Sequence, residues 1–508
     1  MVVISLFHKL SATKQTRECV DDQTWSDLGL DDLYVKLDRA IGIPGQQVLY
    51  SRLRTYVSDD KILAERSRQT AIFRSDAIFR AKVNSSFRKL SRPGAAYLAP
   101  LLLSPLPEPP RFAWRFHLLG ALCPLCLVTA VFYHPLFLVA LALSLINAAI
   151  SLLYGQKIIP HFHGFGQIST LLRTAADLAK IDDPHGLPQL ASIRGNSVRL
   201  DRLSKRLRWF LFDRSSLDDI SRAVVEYLNM LFLFDIVVYL RSLGSIRGNQ
   251  VILAGTLEEI GSIDAAQSIA SYVEGLAHHV VPTMVDARRL EVEGLYHPLI
   301  ATPVGNSLSL EGRSALISGP NMAGKTAFIR TVGINLILAQ TFSFCLADRA
   351  LLPRAIVRSA IRREDQLSAG VSYFFAEIKQ LREFIDLSEG ASLKIYLIDE
   401  IFRGTNTVER IAAATAVLRS LSRNQIVLAT THDIELSGLL ADDFDMHHFG
   451  DQIVNGVYGF DYRLHAGPVQ SRYAIKLLEL SGYPMSITRE AESIAGRLAG
   501  RLASPQPR

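Results

Sequence analysis

Acidic and basic residues are missing from two neighbouring stretches, 116–133 and 135–154, although they make up 20% of the 508-residue chain. Each stretch is long enough to cross a hydrocarbon core of about 30 Å as a helix. Cysteine is scarce, with only Cys19, Cys123, Cys126 and Cys345, which excludes a disulfide scaffold and fits a reducing compartment. Hydrophobic residues make up 49% of the chain, which excludes a disordered or low-complexity protein.

The two charge-free stretches predict a transmembrane helical hairpin over 111–157, with a turn at His134. Arg111 and Arg115 precede it, Lys157 follows it, and the turn carries no basic residue. By the positive-inside rule we expect a cell-membrane protein with both termini and the remaining domains in the cytoplasm. The alternative is a helical hairpin buried in a large soluble core.

The rest of the chain divides into helical and mixed parts. Residues 1–110 and 158–290 carry helical patterns, and 486–508 read as a helix with a tail. Residues 291–485 alternate apolar strand-like runs with helical patterns, which is typical of an α/β domain with a largely parallel sheet. We therefore expect an all-α core interrupted by the hairpin and followed by an α/β domain.

A glycine-rich segment in the α/β part fits the phosphate-binding loop pattern G-x-x-x-x-G-K-[ST]. It follows a strand-like run at 314–318 and opens a helical run at 327–339, which is the context that this motif requires. We expect Lys325 to bridge the β- and γ-phosphates and the Thr326 hydroxyl to ligate Mg²⁺. The predicted nucleotide-binding residues are Gly319, Pro320, Asn321, Met322, Ala323, Gly324, Lys325 and Thr326.

Two further apolar strands end in residues suited to ATP hydrolysis. The run 394–398 leads to Asp399 and Glu400, and the run 425–431 leads to His432. Asp399 would hold the Mg²⁺ shell, and Glu400 would orient or deprotonate the attacking water. His432 would hydrogen-bond the γ-phosphate. Three strand-end motifs in this order predict an Mg²⁺-dependent ATPase with Lys325, Glu400 and His432 as its catalytic residues.

The segments GPNMAGKT (319–326), LIDEIFRGTNT (397–407) and ATTHDIEL (429–436) closely resemble the ATPase motifs of the MutS family of DNA mismatch repair proteins. The resemblance covers 296–484 and is weaker upstream, at 22–49 and 260–265. It implies an ABC-type P-loop ATPase domain preceded by an all-α helical core with lever-like helices. We find no mismatch-recognition domain, connector or DNA clamp, so the chain looks like a short, membrane-associated branch of the family.

The resemblance also implies residue roles. ATP and Mg²⁺ would bind at the interface of a homodimer, with Ser372 reaching the partner subunit's nucleotide in trans. The loop 403–407 would cross that interface, although it also reads as a turn with a helix N-cap. Asn321 would contact the Mg²⁺–phosphate region. The segment 303–306 lacks the aromatic ring that the family places on adenine, and Tyr296 or His297 could substitute for it.

A dense basic run lies in a helical segment after the hairpin, at Arg199, Arg202, Lys205, Arg206 and Arg208. Three interpretations remain open: a solvated helix face, contact with anionic lipid headgroups, and contact with nucleic-acid phosphates. Aromatic residues do not alternate with these basic ones, which disfavours a platform for stacking single-stranded bases.

Two functions fit these features. The first is a membrane-anchored MutS-like ATPase whose ATP-dependent DNA binding is related to mismatch repair, without a recognisable mismatch-reading domain. The second is a membrane-tethered ATPase switch that remodels a protein or membrane partner. A transporter is disfavoured, because two spans without an intramembrane charge build no substrate path.

Overall fold

The computed structural model describes residues 2–12, 18–106, 108, 112–207, 221, 224, 227–228, 232–361, 373–402, 404–454, 457–468, 478 and 482–503. The chain divides into two compact units. The first contains Met1–Arg17, Tyr34–Thr55 and Lys61–Leu276, and the second contains Glu18–Leu33, Tyr56–Asp60 and Ala277–Arg508.

Helices dominate the described chain before residue 277. Long amphipathic or fully apolar segments, rather than alternating ones, favour helix throughout this part. Short 3₁₀ turns at Arg88–Leu90 and Pro93–Tyr97 separate two of the helices. The α-helices are α1 (Val2–Ala12), α2 (Asp22–Asp27), α3 (Leu30–Leu37), α4 (Ile43–Arg54), α5 (Asp60–Ser75), α6 (Ala77–Phe87), α7 (Leu98–Leu103), α8 (Ala113–Thr129), α9 (Leu136–Lys180), α10 (Pro188–Leu207), α11 (Phe234–Arg247) and α12 (Gln250–Glu274).

Helices α8 and α9 differ in length from the predicted pair of spans. Helix α8 ends at Thr129, four residues before the expected end, and α9 continues past residue 154 to Lys180. Lys157 ends the charge-free stretch, but it does not end the helix, because lysine is a good helix former. The boundary predicted at residue 157 therefore falls inside a helix.

Among the described residues, one helix is long and apolar enough to cross a membrane. It is the window Leu136–Leu153 of α9, with a mean hydropathy of 2.5 and 11% of its residues buried. Helix α8 is a shorter apolar helix of 17 residues. The predicted two-span hairpin is thus not shown as such. Within the described chain, most residues of the α9 window are not buried.

Two β-sheets and five helices form the described part of the second unit after residue 276. A four-stranded mixed sheet has the order β1-β5-β2-β3, and a six-stranded sheet has the order β10-β9-β4-β8-β7-β6. The strands are β1 (Thr283–Val285), β2 (Arg289–Leu295), β3 (Asn306–Glu311), β4 (Ser314–Ser318), β5 (Arg349–Pro353), β6 (Ile356–Ala360), β7 (Lys394–Asp399), β8 (Ile426–Thr430), β9 (Phe444–Val454) and β10 (Val457–Ala466). The helices are α13 (Lys325–Phe342), α14 (Tyr373–Ser388), α15 (Thr407–Ser422), α16 (Glu435–Leu439) and α17 (Met485–Ala503).

The six-stranded sheet confirms the predicted largely parallel α/β arrangement. Strand β4 pairs in parallel with β8 and β9, and β7 pairs in parallel with β8 and β6, while only β10 runs antiparallel. Every residue of β4 and β8 is buried, as expected for central strands covered on both faces. Parallel pairing brings the carboxyl ends of β4, β7 and β8 to one edge, where ligands bind in such sheets.

A short N-terminal segment belongs to the second unit, although 1–110 had been assigned to the helical core. Asp27 on α2 accepts hydrogen bonds from the Ser359 hydroxyl (2.8 Å) and the Ile361 N–H (2.9 Å). Arg358 pairs with Asp21 at 2.8 Å. Burial raises the pKa of Asp27 to about 6. These polar contacts attach 18–33 to β6, a pairing that no local pattern in the sequence encodes.

Candidate nucleotide-binding site

The phosphate-binding loop lies between β4 and α13, as predicted. Gly319 has φ +136°, and a Cβ there would lie 2.4 Å from the Phe449 carbonyl oxygen, so a side chain is excluded. Gly324 has φ +109° and is the N-cap of α13. The tight loop between them carries Pro320, Asn321, Met322 and Ala323 and directs its backbone towards the positive end of an 18-residue helix.

Lys325 opens α13 and is only 5% exposed. Its Nζ donates to the carbonyl oxygens of Gly319 (2.8 Å) and Pro320 (2.9 Å). The ammonium group is therefore held inside the loop rather than extended into solvent. A buried positive charge beside a helix N-terminus makes this loop an anion site.

Thr326 and Asp399, the two residues predicted to hold Mg²⁺, are in direct contact. The Thr326 hydroxyl donates to the Asp399 carboxylate at 2.9 Å, and the Thr430 hydroxyl donates to it at 2.5 Å. Within the described residues no group of three or more His, Cys, Asp or Glu side chains could hold a metal alone. One hydroxyl and one carboxylate fit Mg²⁺, because this ion keeps several waters and takes substrate phosphate oxygens as its other ligands.

Glu400 and His432 meet at the same edge of the sheet. His432 Nε2 lies 2.5 Å from Glu400 Oε1 and 3.4 Å from Lys325 Nζ. Since one ring nitrogen cannot donate to a carboxylate and accept from an ammonium at once, the shorter contact identifies Nε2–H as the donor to Glu400. The three residues predicted to be catalytic, on three different elements, thus converge within contact distance.

Glu400 stands on a strained turn after β7. It has φ +54°, Phe402 has φ +58°, and neither residue is glycine. The Glu400 N–H donates to the Thr430 carbonyl oxygen at 3.2 Å. The buried Glu377 on α14 accepts the Phe402 N–H at 2.6 Å. Such backbone conformations persist only where their surroundings fix them, and here the strain sets the direction of the Glu400 side chain.

The loop that follows is described in part. Gly404 packs against Phe374, and Asn406 caps α15 by accepting the Glu409 N–H at 3.0 Å. The N-cap expected in this loop therefore exists, at Asn406. Arg403 and Ser372 lie outside the described residues, so their predicted roles at a dimer interface remain predictions.

A salt bridge not anticipated from the sequence fixes the segment after His432. Arg410 on α15 donates to Asp433 through two nitrogens, at 2.6 and 2.8 Å, and both side chains are largely buried. The hydrogen bonds that Arg410 donates to Asp433 raise the pKa of Arg410. A two-point guanidinium–carboxylate pair restricts orientation as well as distance, so the residue next to His432 is held in one position.

Tyr296 and His297, the predicted candidates for contact with the base, each form a local hydrogen bond, and their contact with the base stays a prediction. The Tyr296 hydroxyl donates to the His278 carbonyl oxygen at 2.6 Å, and His297 Nδ1 accepts the Leu299 N–H. Tyr462 instead lies beside the loop, 47% exposed, with its ring 3.5 Å from where a Cβ on Gly324 would stand.

Asn306 holds the strand that carries Tyr462. Its side chain accepts the Leu464 N–H at 2.7 Å and donates to the Tyr462 carbonyl oxygen at 3.1 Å. These bonds fix an irregularity in the β9–β10 register between Phe460 and Leu464, where Tyr462 has φ +54°. The segment 303–306 therefore contains no aromatic residue, but its Asn306 supports β10, which carries the Tyr462 ring. A positive-φ tyrosine more than 130 residues downstream leaves no signal in the sequence.

Comparisons with known proteins identify similar sequences in this part of the chain. Residues 315–499 match the family described as MutS domain V. The DNA mismatch repair protein MutS of Thermus thermophilus is 30% identical over 218 residues, covering 42% of this chain and 27% of that protein. MutS of Geobacillus thermodenitrificans is 32% identical over 252 residues, covering 47% and 27%, respectively.

The Endonuclease MutS2 of Thermus thermophilus is 33% identical over 261 residues, which is 49% of this chain and 34% of that protein. The chain thus spans about a third or less of the length of the curated relatives that it matches. In its C-terminal part the chain is related to the MutS family through domain V, a P-loop ATPase-type domain.

Proposed function

We propose that this protein is an Mg²⁺-dependent ATPase of the MutS type. The observation that carries the proposal is the convergence of Lys325, Thr326, Asp399, Glu400 and His432 at the carboxyl edge of one parallel sheet. Lys325 and the N-terminus of α13 bind the phosphates, and Thr326 and Asp399 hold the metal. When bound, Mg²⁺ neutralises charge that develops on the phosphate oxygens.

Glu400 acts as the residue that orients and deprotonates the attacking water. Its strained backbone and its bond to His432 keep the carboxylate beside the phosphate loop. His432 lies close enough to Lys325 to respond to phosphate bound there. The partly exposed ring of Tyr462 offers an apolar face to the base, which makes it our candidate for adenine stacking.

Two substitutions separate binding from hydrolysis. Lys325→Ala removes the buried cation, and we expect it to abolish binding of a fluorescent ATP analogue. Glu400→Gln keeps the Mg²⁺ ligands but loses the base, and we expect it to bind the analogue normally while single-turnover hydrolysis falls about 100-fold or more. Hydrolysis by Glu400→Gln at the wild-type rate would reject this role for Glu400.

We further propose that the ATPase acts as a homodimer with composite sites and is anchored in the cell membrane, with both termini in the cytoplasm. Support for the anchor comes from α9, whose window Leu136–Leu153 exposes large apolar side chains such as Leu138, Leu145 and Leu153. Exposed apolar surface of this extent is costly in water and stable in lipid.

Cysteine labelling tests the anchor. In a variant with its native cysteines replaced, a single cysteine at His134 should react with an impermeant maleimide from outside intact cells. A cysteine at Ser11 should react only after permeabilisation. Release of the protein from membranes by salt alone would reject the anchor, as would equal labelling at both positions.

For the partner, we favour ATP-dependent binding of DNA, related to mismatch repair, over remodelling of a protein or a membrane. The names of the relatives, DNA mismatch repair protein and endonuclease, support this choice. The exposed arginines of α10, Arg199, Arg202 and Arg206, support it as well. Binding of a labelled DNA duplex by the detergent-solubilised protein tests this choice. If the protein binds no duplex even at low salt, the result would favour an ATPase switch that remodels a protein or a membrane.

A further inference from the structure

Three arginines of the basic run share one face of α10. Arg199, Arg202 and Arg206 are spaced i, i+3 and i+7, and all three are exposed. They line one side of a groove of about 330 Å³, whose other side is formed by Gly248, Asn249 and Ile252 at the start of α12. Arg208, at the end of the run, lies outside the described residues.

No acidic side chain lines this groove. Within the described part of the chain, none of the three arginines forms an ion pair, whereas Lys205 on the same helix pairs with Asp201 at 2.6 Å. On the facing wall the C-terminus of α11, capped by Gly248, meets the N-terminus of α12 at Asn249, so the two helix dipoles largely cancel there. Among the described residues the positive charge of the groove therefore comes from the three arginines, and it is not neutralised by an ion pair.

The groove stands apart from the apolar stretch of α8. Val237 on α11 packs against Gly120, and α11 then runs towards Leu106, whose carbonyl oxygen accepts a bond from Arg247 at 2.9 Å. Asn249 follows Val237 by twelve residues, or about 18 Å of helix, and Gly120 lies about 6 Å inside the charge-free stretch.

The path of α11 thus leads from Gly120 away from the charge-free stretch towards the groove. This direction disfavours lipid headgroups as the ligand of the groove. The array also extends about 10 Å along α10, which suits a row of phosphates better than one isolated anion. No aromatic side chain lines the groove, so stacking of unpaired bases has no support there.

We propose that Arg199, Arg202 and Arg206 bind the phosphate backbone of a DNA duplex without reading its sequence. Guanidinium groups suit phosphate oxygens because they donate two parallel hydrogen bonds. The proposal rests on the DNA binding proposed above and assigns it to a site in the helical unit.

The test is binding of a fluorescent duplex of mixed sequence to full-length protein in neutral detergent, across a salt series. Each phosphate contact contributes about 0.9 to the slope of log affinity against log salt. We expect each single Arg→Gln change to lower the slope by about one, and the triple variant to lower it by about three. Two unrelated duplex sequences should bind alike.

Lys205→Gln is the matched control, since it removes one positive charge from the same helix outside the groove. It should leave the slope nearly unchanged, and thermal unfolding should show that all variants remain folded. A triple variant that binds DNA with the wild-type slope would overturn the groove while leaving DNA binding intact. Wild-type protein that binds no duplex at low salt would overturn DNA binding itself.

Lipid recognition is a separate outcome. If the triple variant keeps its DNA affinity but loses a wild-type preference for vesicles containing phosphatidylserine over neutral ones, the groove is a headgroup site and the DNA assignment is wrong.

Discussion

Glu377 accepts the backbone N–H of Phe402 at 2.6 Å, and this one bond connects the start of α14 to the strained turn that carries Glu400. Ser372, which the family resemblance places at the partner's nucleotide, precedes Glu377 by five residues. Glu377 is thus a positioning residue between the segment expected to meet a second subunit and the segment expected to activate water.

Replacing Glu377 should slow hydrolysis without weakening ATP binding. Loss of a hydrogen bond to a charged acceptor costs about 1.5–3 kcal/mol, so we expect kcat of Glu377→Ala to fall about 10- to 100-fold with KM nearly unchanged. Glu377→Gln keeps an acceptor oxygen and should recover much of the rate. Glu383→Ala, an exposed change on the same helix, is the control; an equal loss in that variant would contradict the positioning role.

Tyr462 should contribute to nucleotide affinity through its ring. Stacking of a base on an aromatic side chain is worth about 1–3 kcal/mol by alanine substitution. We expect Tyr462→Ala to raise the Kd for ATP about 10-fold or more, and Tyr462→Phe to bind as wild type does. Isothermal titration with ATP and with inorganic triphosphate checks this, because the triphosphate has no base and its affinity should not change.

Mixed dimers test the composite site. A Lys325→Ala subunit and a Ser372→Ala subunit are each expected to be inactive as homodimers. In a heterodimer, one site carries both lesions and the other carries neither, so ATPase activity should partly return on mixing. Heterodimers that demonstrably form but stay inactive would indicate that Ser372 does not act in trans or that both sites must fire together. An unimpaired Ser372→Ala homodimer would reject the role of Ser372.

Asp264 should make stability depend on pH. It is buried on α12, accepts the N–H groups of Ile41 and Gly42, and burial raises its pKa to about 6. An unfolded aspartate has a pKa of about 3.9, so the folded state holds the proton more tightly. Stability should fall as pH rises from about 4 to about 6, by up to roughly 3 kcal/mol, and then level off.

Thermal unfolding of wild-type and Asp264→Asn protein between pH 4 and 7 measures this effect. The asparagine cannot ionise, so its profile should fall less than that of wild type, by the share that Asp264 contributes, while the share from Asp27, whose pKa is also raised to about 6, remains. Asp32→Asn, an exposed change, should keep the wild-type profile. Parallel profiles for wild type and Asp264→Asn would show that Asp264 does not titrate as described.

Much of the ATP site could be predicted because its residues lie next to strand ends. Strands β4, β7 and β8 are short, apolar runs, and parallel pairing makes their ends meet, which brings Lys325, Asp399 and His432 together. Residues that act across long sequence separations could not be predicted in this way. The contacts of Asp27 with the end of β6, of Glu377 with the turn that carries Glu400, and of Tyr462 with Gly324 depend on tertiary structure alone.

Helix lengths show the same limit. The charge-free residues of α9 are visible in the sequence, but the helix ends only at Lys180, where the chain turns at Ile181. Apolar composition indicates the surroundings of a segment but not the length of its helix, and α9 continues through Pro160, a residue that would predict a break.

The 45 residues of α9 form one helix about 68 Å long. If one end lies in a bilayer, the protein is attached through a continuous helix, with a proline at position 160, rather than through an extended linker. A longer apolar stretch than the bilayer requires is accommodated by tilting, so a change in bilayer thickness would then change the angle at which α9 leaves the membrane.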